Sequence, residues 1–227
     1  MVFIDGQNLY KGCRKLFGAP HCHPHLLAQH LAGPRTVHPP QCRFYTGRPN
    51  PNVAGEADKT RNLDRRLHGI RSQGVTVVTR ELRYHWDWGH RQNLPKAGPG
   101  ASPVTVQMAP WQRPQEKGID LVIGLDVVEF VLRNDCDVVI IVSLDRDLAE
   151  IPTALTNLKS IVNRPVRLEA AVPCDTRTRT LRGFHYTHQI TRAVFELVKD
   201  PTDYSAPDSQ WTQPVIPNTL PRTTPAV

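Results

Sequence analysis

Two apolar, strand-like runs that lie far apart in the sequence both lead into aspartate. Asp5 directly follows residues 2–4 (Val-Phe-Ile), and Asp145 closely follows Val138–Val142. Unbroken runs of Val and Ile are typical of strands that are buried on both faces of a parallel sheet. The functional crevice of such a sheet lies at the carboxyl ends of its strands. We therefore expect the carboxylates of Asp5 and Asp145 to lie at the same edge.

A third acidic segment lies between these runs. Residues 117–120 (Lys-Gly-Ile-Asp) lead into an apolar stretch that carries Asp126. A charged side chain in so apolar a segment needs a partner or a metal ion, although a helix cap would also explain Asp120. Asp126 follows six residues later, about 120° round an ideal helix. Both side chains reach one centre only if Asp120 lies at an irregular helix start.

Several carboxylates at one place repel one another and raise one another's pKa. A hard divalent cation such as Mg²⁺ or Mn²⁺, which takes oxygen ligands, removes this repulsion. Asp5 and Asp145 are the strongest candidate ligands. Asp147 is either a further ligand or the N-cap of the helix that follows it. Such an ion can activate water and neutralise phosphate charge, which is the chemistry that phosphodiester hydrolysis needs.

Three motifs in this order resemble the NYN domain of the PIN-like nuclease superfamily. They are Ile4-Asp5-Gly6-Gln7-Asn8-Leu9, then Lys117-Gly118-Ile119-Asp120 with Asp126, and then Val142-Ser143-Leu144-Asp145-Arg146-Asp147-Leu148. One departure is Leu144, where this family commonly has glycine. The resemblance extends over residues 1–200. It implies a Rossmann-like α/β fold with a mainly parallel central sheet and helices on both faces.

The resemblance also implies a function, that of a ribonuclease that depends on Mg²⁺ or Mn²⁺, and we expect an endonuclease. Asn8 occupies the position that this family uses to orient metal-bound water or phosphate, although a turn or cap asparagine is the alternative. Ser143 has no histidine placed to activate it, so we interpret it as a polar orienting residue and not as a nucleophile. The expected catalytic residues are Asp5, Asn8, Asp120, Asp126, Asp145 and Asp147, of which Asp5, Asp120, Asp145 and Asp147 are expected to bind metal.

The composition indicates a polyanionic partner. The chain of 227 residues has a formal net charge of +7 and a pI near 9.4. This balance favours RNA, although a basic protein without such a ligand is the alternative. Its five cysteines have no C-x-x-C spacing and indicate reduced thiols in a reducing compartment. The sequence shows neither a signal peptide nor an apolar run long enough to span a membrane, so we expect a cytoplasmic protein.

Alternating strand and helix patterns predict one α/β domain over residues 1–200. We expect strands at 2–4, 43–46, 75–79, 138–142 and 166–171, and helices at 9–16, 25–32, 56–72, 119–132, 148–158 and 188–198. Residues 201–227 contain six prolines and almost no periodicity, so we expect a disordered tail there. His21, His23 and His25 do not match a common zinc spacing, and we expect a solvated loop around them.

Residues 83–115 form a long connection that does not fit this alternation. It contains three of the four tryptophans, interleaved with cations, which is typical of single-stranded nucleic-acid binding. A hairpin whose aromatic side chains cover the flank of the domain is the alternative. Other cations, on the helix at 56–72 and in a second basic run at 177–182, would contact phosphates. The expected RNA-binding residues are Arg61, Arg65, Trp86, Trp88, Arg91, Arg146, Arg177 and Arg179.

Two other classes of function remain open at this point. One is a non-catalytic RNA-binding module on the same fold, although a binder of a polyanion gains nothing from buried negative charge. The other is an aspartate-based phosphatase or phosphotransferase, but that class needs a second aspartate at the position of Gln7. The sequence contains no Walker-type loop and no Gly-x-Gly-x-x-Gly motif, which disfavours nucleotide-cofactor enzymes. It leaves open which RNA is cut, whether the cut is internal or terminal, and the oligomeric state.

Overall fold

The fold is built on a six-stranded sheet. The computed structural model describes residues 1–35, 40–87, 111–175, 182–204 and 206, with the backbone alone for Arg35, Trp111 and Arg146. The strands of this part are β1 (Val2–Asp5), β2 (Cys42–Arg48), β3 (Thr76–Glu81), β4 (Arg83–Asp87), β5 (Trp111–Gln115), β6 (Val138–Val142), β7 (Arg167–Pro173) and β8 (Tyr186–Ile190). Its helices are α1 (Gly6–Phe17), α2 (Pro24–Ala32), α3 (Ala57–Ser72), α4 (Ile119–Leu132), α5 (Glu150–Asn157), α6 (Lys159–Val162) and α7 (Arg192–Val198), with 3₁₀ turns at Gly33–Arg35 and Arg146–Ala149.

Every neighbouring pair in the main sheet is parallel, in the order β3-β2-β1-β6-β7-β8. The chain therefore runs outward from β1 in one direction and later outward from β6 in the other. The carboxyl ends of β1 and β6 flank the point at which the strand order reverses, and this is where open α/β sheets bind ligands. The strand order confirms the predicted α/β fold with a parallel central sheet.

Two hydrophobic cores lie on opposite faces of the sheet, because successive side chains of a strand point to opposite sides. Val2 and Ile4 pack into the core formed with α1, α2, α3 and α7, whereas Phe3 packs into the core formed with α4 and α5. All three side chains are fully buried. Helices therefore cover both faces, as predicted. In the described ranges, no helix is both long and apolar enough to cross a membrane.

The predicted helix at 188–198 is wrong in its first part. Residues 188–190 belong to β8, which pairs with β7 at the edge of the sheet, and α7 begins only after its cap, Thr191. The apolar spacing from Ile190 onward fits a helix, but Ile190 is fully buried as a strand residue. Pairing with β7 overrides the local pattern, because strand formation depends on neighbours more than on intrinsic preference.

The connection predicted at 83–115 begins and ends in strands. β4 and β5 form a separate antiparallel pair, whose outermost partners are Asp87 and Trp111. Tyr84 fixes this hairpin to the domain, because its hydroxyl accepts a hydrogen bond from the Asn50 N–H at 3.0 Å. The hairpin therefore lies beside the carboxyl end of β2, at the same edge of the sheet as Asp5.

Gly6 is needed where α1 starts against β2. A Cβ atom at this position would lie 2.3 Å from Phe44 Cζ and 2.8 Å from the carbonyl oxygen of Tyr45. We therefore expect Gly6→Ala to lower the free energy of unfolding by about 1–3 kcal/mol. Gly124→Ala is the matched control, because its Cβ would meet Ile151 at an ordinary 3.9 Å and alanine favours a helix by up to about 1 kcal/mol. Urea denaturation checks both variants, and a Gly6→Ala protein as stable as wild type would contradict this packing.

Candidate active site

The carboxylate of Asp5 is buried at the carboxyl end of the central strand, where the residue is only 3% exposed. Asp5 ends β1 and caps α1, because its Oδ1 atom accepts a hydrogen bond from the Asn8 N–H at 2.9 Å. The Asn8 side chain lies within hydrogen-bonding reach of the same carboxylate. The structure thus places Asn8, a predicted site residue, beside Asp5.

Asp145 occupies the corresponding position after β6. Its Oδ1 atom accepts a hydrogen bond from the Asp147 N–H at 3.0 Å and caps the 3₁₀ turn that follows. Asp145, and not Asp147, is therefore the helix cap. Ser143 joins the two strand ends, since its hydroxyl donates to Asp5 Oδ2 at 3.2 Å and accepts from the Asp145 N–H at 3.0 Å. These contacts agree with the interpretation of Ser143 as an orienting residue.

Asp120 lies in the first turn of α4. Burial raises the pKa of its carboxyl group most, and the negative charges of Asp145, Asp5 and Asp147 add to this rise. Such effects require the four groups to lie near one another. The structure therefore brings together four of the predicted site residues where the strand order reverses.

Leu144 does not need the backbone freedom of glycine. Among the described non-glycine residues, only Asn134 and Asn163 have a positive φ, so the turn after β6 uses a conformation that leucine readily adopts. The Leu144 side chain lies over α1, where a Cβ on Gly12 would be 3.1 Å from Leu144 Cδ1. This departure from the family pattern therefore leaves Asp145 in place.

Glu116 is a fifth carboxylate at this site, and the sequence analysis missed it. Its Oε2 atom accepts a hydrogen bond from the Gly47 N–H at 2.7 Å. On the β1 side of β2 the backbone pairing ends at Asp5 and Tyr45, whereas β2 continues beside β3 through Arg48. Glu116 thus contacts β2 beyond the end of β1, where it satisfies a backbone N–H. The charge of Asp5 acts on Glu116 and raises its pKa, which places the two carboxylates near each other.

The sequence contained one signal for Glu116. Residues 88–115 have no aspartate or glutamate, so Glu116 is the single carboxylate between that basic stretch and the motif at 117–120. Its contact with Gly47 depends on the return of the chain along β5, which no local pattern predicts.

Burial is the largest cause of the raised pKa of Asp5, Glu116 and Asp120. Repulsion by Asp145 adds to the rise in pKa at Asp5 and Asp120, while hydrogen bonds from Asn8 oppose it at Asp5. The pKa of Glu116 rises to about 7. At neutral pH, part of the metal-free protein therefore carries a proton at this site that a bound cation would displace.

The donor set fits a hard divalent cation that is held partly by water. All five side chains offer carboxylate oxygens, the ligands that Mg²⁺ and Mn²⁺ prefer. Within the described part of the chain, no Lys, Arg or His side chain forms an ion pair with Asp5, Asp120, Asp145 or Asp147. Those same ranges contain no preformed group of three or more His, Cys, Asp or Glu ligands. An ion would therefore keep several water ligands, as Mg²⁺ usually does.

Asp126 lies outside this group. Its Oδ2 atom accepts a hydrogen bond from the Tyr45 hydroxyl at 2.6 Å and forms an ion pair with Arg43 at 2.9 Å. It follows Asp120 by six residues, which places it about 9 Å further along α4. These contacts bind Asp126 to β2, and its predicted catalytic role stays a prediction. They indicate a structural role, in which Asp126 holds α4 against β2.

The predicted RNA-binding residues lie only partly in the described structure. Arg61 and Arg65 are on the exposed face of α3. Trp86 on β4 is 66% exposed and therefore does not cover the flank of the domain. The side chains of Trp88, Arg91, Arg146, Arg177 and Arg179 lie outside what the structure describes, and their roles stay predictions.

The segment around Cys22 is not the solvated loop that we predicted. His23 is 1% exposed, and its Nδ1 atom accepts a hydrogen bond from the Leu26 N–H at 3.3 Å at the start of α2. Burial lowers the pKa of His21 to about 4 and also lowers the pKa of His23. The prediction was wrong because Cys22 bridges to Lys199, just after α7, so that the C-terminal part of the domain covers this segment.

The pKa of Glu116 makes stability depend on pH in the metal-free protein. The ordinary pKa of this carboxyl is 4.5, whereas in the folded protein it is about 7. Between these values the unfolded state releases a proton that the folded state retains, so stability is greatest below pH 4.5 and falls as the pH rises to 7. We expect Glu116→Gln to gain about 1–2 kcal/mol relative to wild type across this interval, since solvent screening reduces the full linkage value. Thermal melting in EDTA checks this, and a pH-independent difference would contradict it.

Because Asp126 forms an ion pair with Arg43, we expect substitution of Asp126 to lower the stability of the protein without changing the chemistry of the candidate site. Asp126→Asn removes the charge partner of Arg43 in a largely buried pair, and we expect it to cost about 1–3 kcal/mol. Glu129→Gln is the matched control on the same helix, because its ion pair with Arg133 is exposed and its loss should leave the stability close to that of wild type. Melting curves check the difference. An Asp126→Asn variant with wild-type stability and no nuclease activity would return Asp126 to the site.

Comparison with known families agrees with this geometry. The family model for the NYN domain matches residues 1–164, which include β1 to β6 and all five carboxylates of the candidate site. No curated protein and no solved structure matches the chain. Because the matched residues make up more than half of the sequence, the chain belongs to the NYN domain family of the PIN-like nuclease superfamily.

Proposed function

We propose that this NYN domain is a ribonuclease that depends on Mg²⁺ or Mn²⁺ and cuts RNA internally. The observation that carries the proposal is the convergence of Asp5, Asp120, Asp145 and Asp147 where the strand order of the sheet reverses. Burial and mutual repulsion raise the pKa of Asp5 and Asp120, which makes the group costly to the fold without a cation. Membership of a nuclease superfamily adds support to the proposal.

When bound, the ion would polarise a phosphate oxygen and make water a better nucleophile. The protein fixes the ligands around it. Ser143 sets the distance between the ends of β1 and β6 through its bonds to Asp5 and Asp145. Asn8 holds the Asp5 carboxylate through its N–H. Asp5 lies on β1 and Asp120 on α4, and both elements pack into the cores of the domain, so these two ligands need little reorganisation before the reaction.

Glu116 would hold and release a proton beside the reacting groups. Its Oε2 atom is engaged by the Gly47 N–H, which leaves Oε1 as the atom that exchanges a proton with water. A pKa of about 7 suits a general acid or base at neutral pH. We assign this role to Glu116 within the proposed reaction.

The substrate in this proposal is single-stranded RNA. A cluster of carboxylates repels a polyanion, so binding must come from cations and aromatic surfaces around it. Arg61, Arg65 and the exposed Trp86 offer such groups on the described surface. Bases must be unstacked to lie on Trp86, which favours single strands over duplex.

A non-catalytic RNA-binding module is the alternative function, and the site favours catalysis over it. Five neighbouring carboxylates weaken the binding of a polyanion unless a bound cation neutralises their charge. We also propose a cytoplasmic location, since the five cysteines are buried and form no disulfide bond in the described part of the chain, as expected for a reducing compartment.

Cleavage assays with labelled single-stranded RNA, structured RNA and DNA test the proposed function. We expect wild type to cut single-stranded RNA with Mg²⁺ or Mn²⁺ and not in EDTA. Asp5→Asn should lower the rate about a hundred-fold or more, because metal coordination contributes several kcal/mol to the transition state. Glu129→Gln, far from the cluster, should cut like wild type. Cleavage that persists in EDTA, or an Asp5→Asn variant with full activity, would contradict the proposal.

A further inference from the structure

An open pocket of about 500 Å³ lies between the end of β2 and the exposed face of α3. This volume is within the range of small-ligand sites, roughly 300–1,000 Å³, and it can hold one nucleotide. None of the site carboxylates lines it. Its walls include Arg48, Ala57, Arg61, Asp64, Arg65 and His68.

The pocket is lined by positive charge, whereas the carboxylate cluster is negative. Three arginines against one aspartate give its lining a net charge of +2 with His68 neutral. Arg48 is held in place by two hydrogen bonds to Asp64, at 2.8 and 2.7 Å. Because Asp64 occupies the Nε–Nη2 edge of this guanidinium, Arg48 forms a fixed wall of the pocket.

Arg61 can change partners when a ligand enters. Its ion pair with Asp58 spans 3.2 Å, and the two side chains are 64% and 83% exposed. An ion pair this exposed contributes less than about 1 kcal/mol. A phosphate in the pocket can therefore replace Asp58 at little cost.

The pocket begins one residue further along β2 than the contact between Gly47 and Glu116. Arg48 directly follows Gly47, whose N–H binds the Glu116 carboxylate at 2.7 Å. The hairpin is attached next to the pocket, because Tyr84 binds Asn50 and the following residue, Pro51, lines the cavity. Trp86 lies two residues after Tyr84 and therefore on the same face of β4.

We propose that this pocket binds one nucleotide of the RNA next to the bond that is cut, with its phosphate on the α3 arginines and its sugar and base in the cavity. The proposal rests on the proposed ribonuclease function and gives its substrate a defined path. The strand enters along Trp86, places one nucleotide in the pocket and presents the following phosphodiester to the carboxylates. A bulky, uncharged side chain placed in the cavity should block binding if RNA enters this pocket. It should have little effect if RNA binds to a diffuse basic surface.

Ala57→Trp tests the pocket, since it fills the cavity from an exposed position without changing charge. Asn62→Trp is the matched control, because Asn62 is exposed on the same helix and does not line the cavity. Affinity is measured by fluorescence anisotropy in EDTA, with a fluorescein-labelled single-stranded RNA of about 12 nucleotides. This length is within the usual site sizes of single-strand binding domains. We expect Ala57→Trp to bind about ten-fold or more weakly, and Asn62→Trp to bind within two-fold of wild type.

A second pair of variants separates phosphate binding from general charge. The double variant Arg61→Ala and Arg65→Ala should bind RNA with a weaker salt dependence. The negative slope of log affinity against log salt should become shallower by about 0.7 for each phosphate that is no longer neutralised. Arg133→Ala, an exposed arginine at the end of α4, should leave that slope unchanged. Melting temperatures of all variants show whether each has folded.

The outcomes distinguish the pocket from the proposed function. If Ala57→Trp, folded and stable, binds and cuts like wild type, the pocket proposal fails while the nuclease stands. If both tryptophan variants weaken binding equally, the effect is general obstruction and the pocket proposal also fails. If Ala57→Trp weakens binding but wild type cuts nothing with Mg²⁺ or Mn²⁺, the ribonuclease proposal fails and the pocket stands as an RNA-binding site.

Discussion

A carboxylate buried at the centre of the sheet is the constraint on which this domain depends. Asp5 ends the strand where the order of the sheet reverses, and burial opposes the ionisation of its side chain. Donors on two residues, Asn8 and Ser143, stabilise its charge. Asn8 is on α1 and Ser143 follows β6, so the bonds that hold Asp5 also fix these two elements relative to each other. The same hydrogen bonds therefore stabilise the fold and set the geometry of the candidate site.

The parts of the fold with continuous apolar patterns were predictable. The structure has α4 and β6 at the predicted bounds, 119–132 and 138–142. The same patterns placed Asp5 and Asp145 at one edge, because parallel strands end together. On α3, Leu67 is buried and Arg65 is exposed on the opposite face, which is the pattern of an amphipathic helix. Local patterns were sufficient for these elements.

Contacts between distant segments were not predictable from local patterns. Asp126 resembled a site residue, but Arg43 and Tyr45 occupy its carboxylate, and nothing near Asp126 in sequence indicates these partners. Glu116 was missed for the converse reason, since its place is set by a backbone N–H of β2. Ile190 was assigned to a helix because pairing with β7 does not appear in its local spacing. In each case the deciding partner comes from another strand.

The hairpin at the edge of the site has a base with fixed contacts to the domain and a connecting segment whose length those contacts do not determine. Asp87 and Trp111 are cross-strand partners, so the segment between them starts and ends at neighbouring points whatever its length. Glu116 and Tyr84 fix the base of the hairpin to the domain. The length and sequence of residues 88–110 can therefore change, in evolution or by design, while the carboxylates of the candidate site keep their positions.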